Sequence, residues 1–409
     1  MSYKVSGIDV HKRVLVVVVA DAAQEELQYE CRRFGTTTSE LRQLKTWLEQ
    51  QGVTEVVMES TAQYWKPVWL ELEPHFRLHL AQAQSNRAPR GCKHDFGDAQ
   101  RLLRRLLAAE LILSYVPDPQ QRAWRTMTRS KVQLVRDRVR LHNQVECLLE
   151  EARIKLSSVI SDLLGVSGRR ILHALASGET DPVQLAQLGH QRLKCSAEQL
   201  QDALTGAAEP MHRQLLQLYL ERLELIDAQM DRLDQMIAGA LREHQDAVVR
   251  LAEVPGFGAD SAQQVIAEVG PRAAAFGSAA NLASWVGVCP GRQESAGHNQ
   301  SGRSAKGNPY LRRLLTQAAQ AAVHKKGSRM QAVFRRLLPR LGYQQAIWAI
   351  AHRLCRLVWK ILHDQVRFRE QGLVENLQNQ KRRVQKMLQA LRKLGYTAQL
   401  TPLTPGLTT

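Results

Sequence analysis

The chain has 409 residues, with 56 Lys+Arg against 39 Asp+Glu, a formal net charge of +17 and a pI near 9.9. That length exceeds one compact core and asks for two or three domains, while the cation excess points to a polyanionic partner. No apolar run reaches the length of a membrane span, the start "MSYKVSGIDVHK" lacks a signal-peptide core, and six scattered cysteines without a CxxC pair argue against zinc modules and disulfide frameworks and fit a reducing cytoplasm.

The first 118 residues form an expected α/β domain. "KVSGIDV" reads as a strand ending near Asp9, and the β-branched "RVLVVVVAD" and the alternating "LQYECRRF" as two more. Thr37 and Glu40 fit a capping box opening a helix with Leu41, Leu44 and Leu48 inward and a stop at Gly52. "VTEVVMES" is a buried strand ending at Glu59, "YWKPVWLELE" a helix and "FRLHLAQA" a strand, followed by a helix containing Asp98, Leu102, Leu103 and Leu106. Three hairpin-linked strands followed by helix, strand, helix, strand and helix is the element order of the ribonuclease H-like fold. Asp9, Glu59, Asp95 and Asp98 fall where that fold carries acidic residues. Such a cluster suits Mg²⁺, a hard cation that takes oxygen ligands and phosphates. Asp95 and Asp98 taken alone read equally well as carboxylates favoured by a helix dipole. Glu59 is the strongest of the four, because a carboxylate at the end of a buried strand is costly without a partner.

Residues 119–245 read as a helical spacer. A helix is expected from about 119 to 160, with no internal Gly or Pro and with a basic face of Arg122, Arg125, Arg129, Lys131, Arg136, Arg138 and Arg140 suited to solvent or to phosphates. "HALASGETDPVQLAQLG" reads as a loop with a short helix. Leu216, Tyr219, Leu223, Ile226, Met230, Leu233 and Ile237 then step by three and four, a heptad seam for a coiled coil, either as an antiparallel hairpin with the earlier helix or between two chains.

Residues 246–365 form a mainly helical module. "VPGFGADSAQQVIAEVG" resembles a helix-hairpin-helix turn, in which Gly256 and Gly258 precede a helix N-terminus able to hold a phosphate. From Gly291 to Arg340 the single acid Glu294 stands against eleven Lys and Arg, among them Arg303, Lys306, Arg312 and Arg313. The loop to Asn308 is rich in small residues, and Pro309 opens the next helix. Ser295, Ser301 and Ser304 lie in this loop, and composition does not choose a nucleophile among them. Residues 366–409 form a basic tail, either a nucleic-acid arm or a solvated helix, in which Lys381, Arg382, Arg383 and Lys386 precede Leu388, Leu391 and Leu394.

"GIDVHK", "VMESTAQYW", "KHDFGDAQRL", "VPGFGADSAQQVIAEVG" and "GVCPGRQESAGHNQSGRSAKGNPYLRRLLTQAA" stand in the order found in DEDD transposases of the insertion-sequence 110 family, the bridge-RNA-guided recombinases. This resemblance spans residues from about 5 to 325. It implies a RuvC-like domain, a coiled-coil spacer and a transposase domain with a nucleophilic serine. By position it places the metal acids at Asp9, Glu59, Asp95 and Asp98 and the nucleophile at Ser295. The composition of the cation-studded loop and helix start separately suggests Arg303, Lys306, Asn308, Arg312 and Arg313 as nucleic-acid contacts. The resemblance further implies donor and target DNA, a structured guide RNA, Mg²⁺, a dimer or tetramer, and a place at the bacterial nucleoid. His94 stands in "KHD" where the family carries a small polar residue. A hydrolytic RuvC-type junction or repair nuclease is the competing expectation.

Overall fold

The protein is described from a computed structural model, covering residues 3–60, 62–83, 94–189, 193–291, 293–295, 298–370 and 377–399. For 293–295, 298–301, 377–383 and 386 the backbone alone is described. The chain divides into two units, 1–118 and 119–409.

In the first unit β1 (Lys4–Val10), β2 (Val14–Asp21), β3 (Glu30–Gly35), β4 (Val53–Glu59) and β5 (Arg77–Ala81) form one sheet in the order β3-β2-β1-β4-β5. β1 to β3 pair antiparallel, while β4 and β5 add parallel to β1. Valine fills β2 because both sheet faces are covered, which favours apolar runs over alternation. One face packs on α1 (Thr38–Gln50) and α2 (Trp65–Leu72), through Ile8, Val10, Leu44, Leu48, Met58 and Leu72. The other face packs on α3 (Asp95–Leu107), through Val5, Val18, Val57, Ala99, Leu102 and Leu103. The helix expected after Thr37 is present. Glu40 accepts from Thr37 Oγ1 at 2.7 Å and Gly35 N at 3.2 Å, and Gly52 at φ +70° turns the chain into β4. The third strand starts at Glu30, later than the alternation of Leu27 and Tyr29 suggests, because those two side chains pack instead beside α3.

The second unit is helical: α4 (Pro119–Glu151), α5 (Leu156–Val159), α6 (Val166–Ser177), α7 (Pro182–Gln187), α8 (Ala197–Leu204), α9 (Pro210–Ala240), α10 (Gln245–Ala252), α11 (Ala259–Val269) and α12 (Ala279–Val286) precede a hairpin of β6 (Gln293–Ser295) and β7 (His298–Ser301). After it come α13 (Pro309–His324), α14 (Arg329–His363) and α15 (Leu377–Lys393). Among the described residues no helix is long and apolar enough to cross a membrane.

α4 and α9 lie side by side and antiparallel: Lys131 meets Asp234 while Arg138 meets Asp227. Leu216, Leu223 and Ile226 of the α9 seam pack against Leu141, Val145 and Leu148 in one core cluster, so much of that seam is used within the chain. α4 is shorter than its period suggests. It ends at Glu151, with Arg153 at φ +58°, and the turn is held from a distance: Lys155 N donates to Ala203 O at 2.8 Å and Ala207 N to Ala152 O at 3.0 Å. The segment read as a loop from His173 instead continues α6, which stops at Gly178 in the left-handed region. Asp181 then caps α7, accepting from Val183 N at 2.9 Å.

The basic face of α4 is only partly open. Glu268 of α11 is 2% exposed and accepts from Arg129 Nε at 2.7 Å and its terminal nitrogen at 2.9 Å, while Arg125 donates to the Ala267 and Glu268 carbonyls. Asn308 Nδ2 donates to the same carboxylate at 2.7 Å, and its Oδ1 accepts from Tyr310 N and Leu311 N, capping α13. One buried acid thus ties α4, α11 and α13 together. Removing one member of a buried charge pair strands the other, so Glu268→Ala is expected to cost roughly 3 kcal/mol in urea-induced unfolding, and Asn308→Ala about 1 kcal/mol through its cap. Equal midpoints for wild type and Glu268→Ala would disprove the linkage.

Candidate metal centre and serine-bearing hairpin

Strand side chains alternate between faces, and on β1 the odd-numbered residues turn toward α3: Val5 packs there, and Asp9 shares its parity. β4 runs parallel to β1 with Val57 on the α3 face, which gives Glu59 the same side. On α3, Asp95 and Asp98 continue the buried stripe of Ala99, Leu102 and Leu103 by one turn toward the N-terminus. The sheet period and the helix period therefore bring all four acids to one end of one face.

How closely α3 can approach is decided at Gly7. A Cβ there would fall well inside contact distance of the Ala99 carbonyl oxygen, a backbone atom that cannot step aside. Gly7 is what lets the start of α3 lie over β1.

Asp9 is 8% exposed. Burial pushes its carboxyl above the usual range, and the nearby Asp98 and Glu59 charges push the same way, against the pull of His11. His11 Nε2 lies 3.1 Å from Asp9 Oδ2, and ligand atoms of Asp9, His11 and Asp95 all lie within 4.8 Å of one another. Asp95 also faces Arg33 at 3.8 Å, and Asp98 accepts from Arg101 at 2.5 Å. His94 caps α3 with its ring, accepting from Gly97 N at 3.4 Å. His11 is the residue that the sequence reading passed over. It stands two positions after Asp9 in "GIDVHK", a spacing that returns a strand to the same face.

A buried carboxylate that shares its surroundings with like charges and one imidazole fits a hard divalent cation, which would supply the counter-charge that burial demands and offset the repulsion from Asp98 and Glu59. Asp9, Asp95 and His11 are near enough to share it, with Glu59 and Asp98 beside them.

In the second unit the β6–β7 hairpin stands on a stem of two backbones pressed together by glycine. A Cβ at Gly287 would meet Ala305 O, one at Gly291 would meet Arg303 O, and one at Gly307 would meet Val286 O. Strand register sets Ser295 opposite His298. The Ser295 and Ser301 side chains, and residues Ala296 and Gly297, lie outside the described residues. Ser304 is engaged, accepting from Trp348 Nε1 at 2.9 Å. Arg312 braces the stem: it donates to Ala305 O at 2.8 Å and stacks over the Trp348 ring, 4.9 Å from its centroid.

The other expected contacts divide. Arg303 and Lys306 are exposed on the stem. Arg313 lies between Arg136 and Asp260, and its pKa is lowered first by burial and then by Arg136. Asn308 has both ends of its amide occupied inside the fold. Gly256, at φ +92°, allows its backbone to touch Ala318 of α13, whereas Gly258 is open at the start of α11, with its N–H taken by Ser261 Oγ at 3.1 Å. The side chains of Lys381, Arg382, Arg383 and Lys386 are outside the described residues.

The DEDD transposase family model of the insertion-sequence 110 group matches residues 6–154, and the transposase IS116/IS110/IS902 family model matches residues 248–335. The chain belongs to this family and is a DNA transposase/recombinase. It is 27% identical over 373 residues to a "probable family 20 transposase" of Pseudomonas aeruginosa, covering 89% of this chain and 98% of that protein. It is 26% identical over 282 residues to the "transposase for insertion sequence element IS1111A" of Coxiella burnetii, covering 68% of each.

Gly7→Ala is expected to push α3 from β1 at a cost of roughly 1–3 kcal/mol and to weaken divalent-ion binding in calorimetry. Undiminished metal affinity would rule out the glycine as the spacer. Asp9 gives a second test. Its folded carboxyl titrates above its unfolded value, so stability is lost as pH rises through that window and the ionised form is a burden at neutral pH. Asp9→Asn should therefore melt higher than wild type in chelator, and added Mg²⁺ should raise the wild-type melting temperature but not that of the variant. A variant that melts lower in chelator would contradict the repulsion.

Proposed function

We propose that this transposase cuts and rejoins DNA through a phosphoserine at Ser295, with Mg²⁺ held by Asp9, Glu59, Asp95 and Asp98. The single observation that carries the metal half is geometric: the carboxylate of the buried Asp9 lies within 4.8 Å of ligand atoms of both His11 and Asp95. His11 adds a nitrogen ligand, or holds a proton, at Asp9 Oδ2. When bound, the ion supplies charge stabilisation to a phosphoryl group and its departing oxygen.

The serine hydroxyl attacks a backbone phosphate, forming an Oγ–P bond as the bond to the 3′ oxygen breaks. The hydroxyl proton is given up and the departing oxygen takes one. One ester replaces another, so rejoining to a second strand needs no nucleotide triphosphate. The family pattern selects Ser295 from the hairpin serines; the glycine stem and the Arg312 brace support a reacting loop held at its base. The acids belong to one unit and the serine to the other, so catalysis requires the two to be brought together, within one chain or between subunits of a dimer or tetramer. A structured bridge RNA pairing with donor and target DNA completes the reading, with residues 119–245 as its spacer, 246–365 as the serine module and 366–409 as a basic tail. The net charge of +17 supports such a load.

The test is to trap the protein–DNA adduct under denaturing conditions, digest it and locate the modified residue by mass spectrometry. The adduct is expected on Ser295 and absent from Ser295→Ala, and Asp9→Asn should lower adduct yield at least 100-fold while DNA binding persists. An adduct on Ser301 would move the nucleophile. Strand cutting by Ser295→Ala without any adduct would favour the hydrolytic nuclease.

A further inference from the structure

The β6–β7 stem opens beside a cavity of about 1460 Å³, larger than the roughly 300–1,000 Å³ of small-molecule sites. α14 is broken beside it: Gly342 leaves helical geometry at φ +74° and ψ 170°, three residues after Pro339, and residues on both sides of the break line the space. Beyond the break α14 is two-faced. Ala346, Ile350, Leu354, Val358 and Ile361 are buried, whereas Gln345, Trp348, His352, Arg356 and Lys360, stepping by three and four, line the cavity.

Its charge is lopsided. Arg303, Arg312, Arg329, Arg353, Arg356 and Arg369 contribute, against Asp364 and Glu370 at one edge. Glu370 accepts from the Arg329 backbone N at 3.1 Å. Among the described residues neither Arg353 nor Arg356 has an ion-pair partner, and both are exposed. Arg336, Arg329 and Arg356 act on Arg353 as like charges, adding to burial in lowering its pKa. Arg353 and Arg356, on a wall that also carries an indole, are complementary to a strand of phosphates with accessible bases.

We propose that this cavity is a single-stranded DNA channel, in which Arg353 and Arg356 take backbone phosphates and Trp348 meets a base, leading the strand to the β6–β7 hairpin. The residues at its centre lie past the family-model match, which ends at 335. The choice of DNA rests on reading the hairpin as the reacting loop; the channel itself does not depend on which serine reacts. Ser304 links the two, since its hydroxyl accepts from Trp348 at the foot of the stem.

The experiment is a fluorescence-anisotropy titration of RNA-free, full-length protein with a labelled oligodeoxythymidine of about 12 nucleotides, a length within the site sizes of such grooves. Arg353→Gln/Arg356→Gln is expected to weaken binding about ten-fold and to lower the salt slope by about 1.4, two phosphate contacts' worth for a single strand. Trp348→Leu should weaken it about five-fold or more, with Trp348→Phe retaining most of the affinity. Arg222→Gln/Arg232→Gln, a charge-matched pair exposed on α9, should change neither affinity nor slope. Equilibrium binding does not require the covalent step, so a failed adduct experiment leaves this result standing. An iododeoxyuridine oligonucleotide should crosslink to the peptide carrying Trp348. The proposal is overturned if the two arginine pairs lose affinity equally, if duplex binds as well as the single strand, or if the crosslink maps outside 302–370. Ten-fold tighter binding of RNA of the same sequence would overturn the choice of DNA.

Discussion

A carboxylate withdrawn from water needs an opposite charge, and each unit of this chain is organised around one. In the second unit Glu268 has its counter-charge built in: a bidentate arginine and an asparagine amide meet it, and three helices are locked by the arrangement. In the first unit Asp9 is nearly as buried, but its neighbours are Asp98 and Glu59, and a single imidazole faces it. Glu268 sits inside a finished structural knot. Asp9 is held at the edge of a finished fold in a state that a divalent cation would complete. The same physics gives one acid a structural role and, in the reading proposed above, the other a chemical one.

Much of the first unit could be read from periodicity, because its demands are local. Strand-end carboxylates are rare enough in buried runs to announce themselves, and the parity of Asp9 and Glu59 with the α3-facing residues follows from counting by two. Convergence with Asp95 and Asp98 was foreseeable only through the fold's order of elements, since no local rule brings a helix to a strand. His11 follows Asp9 by two positions in the same strand-end segment, but a pattern of carboxylates does not by itself single out an imidazole.

The second unit misleads a local reading in instructive ways. Gly168 looks like a breaker inside "VSGRRILHALAS", yet α6 runs through it, because the missing side chain lets the helix touch the Leu163 backbone. The end of α4 carries no breaker at all and is imposed by bonds to residues fifty positions away. Its arginines look like a face for phosphates, yet Arg125, Arg129 and Arg138 are occupied by Glu268 and Asp227 and by nearby carbonyls. Tertiary partners overrode propensity at each of these points.

Rigidity is distributed to match these roles. The stem of the serine hairpin is fixed by three close backbone approaches, at Gly287, Gly291 and Gly307, and by an arginine clasp. Side chains at those three positions would wedge the stem apart, so the glycines belong to geometry rather than to looseness. A loop held at its base delivers its side chains to a fixed place, and in the reading proposed above that is what would set the Ser295 hydroxyl against a phosphate.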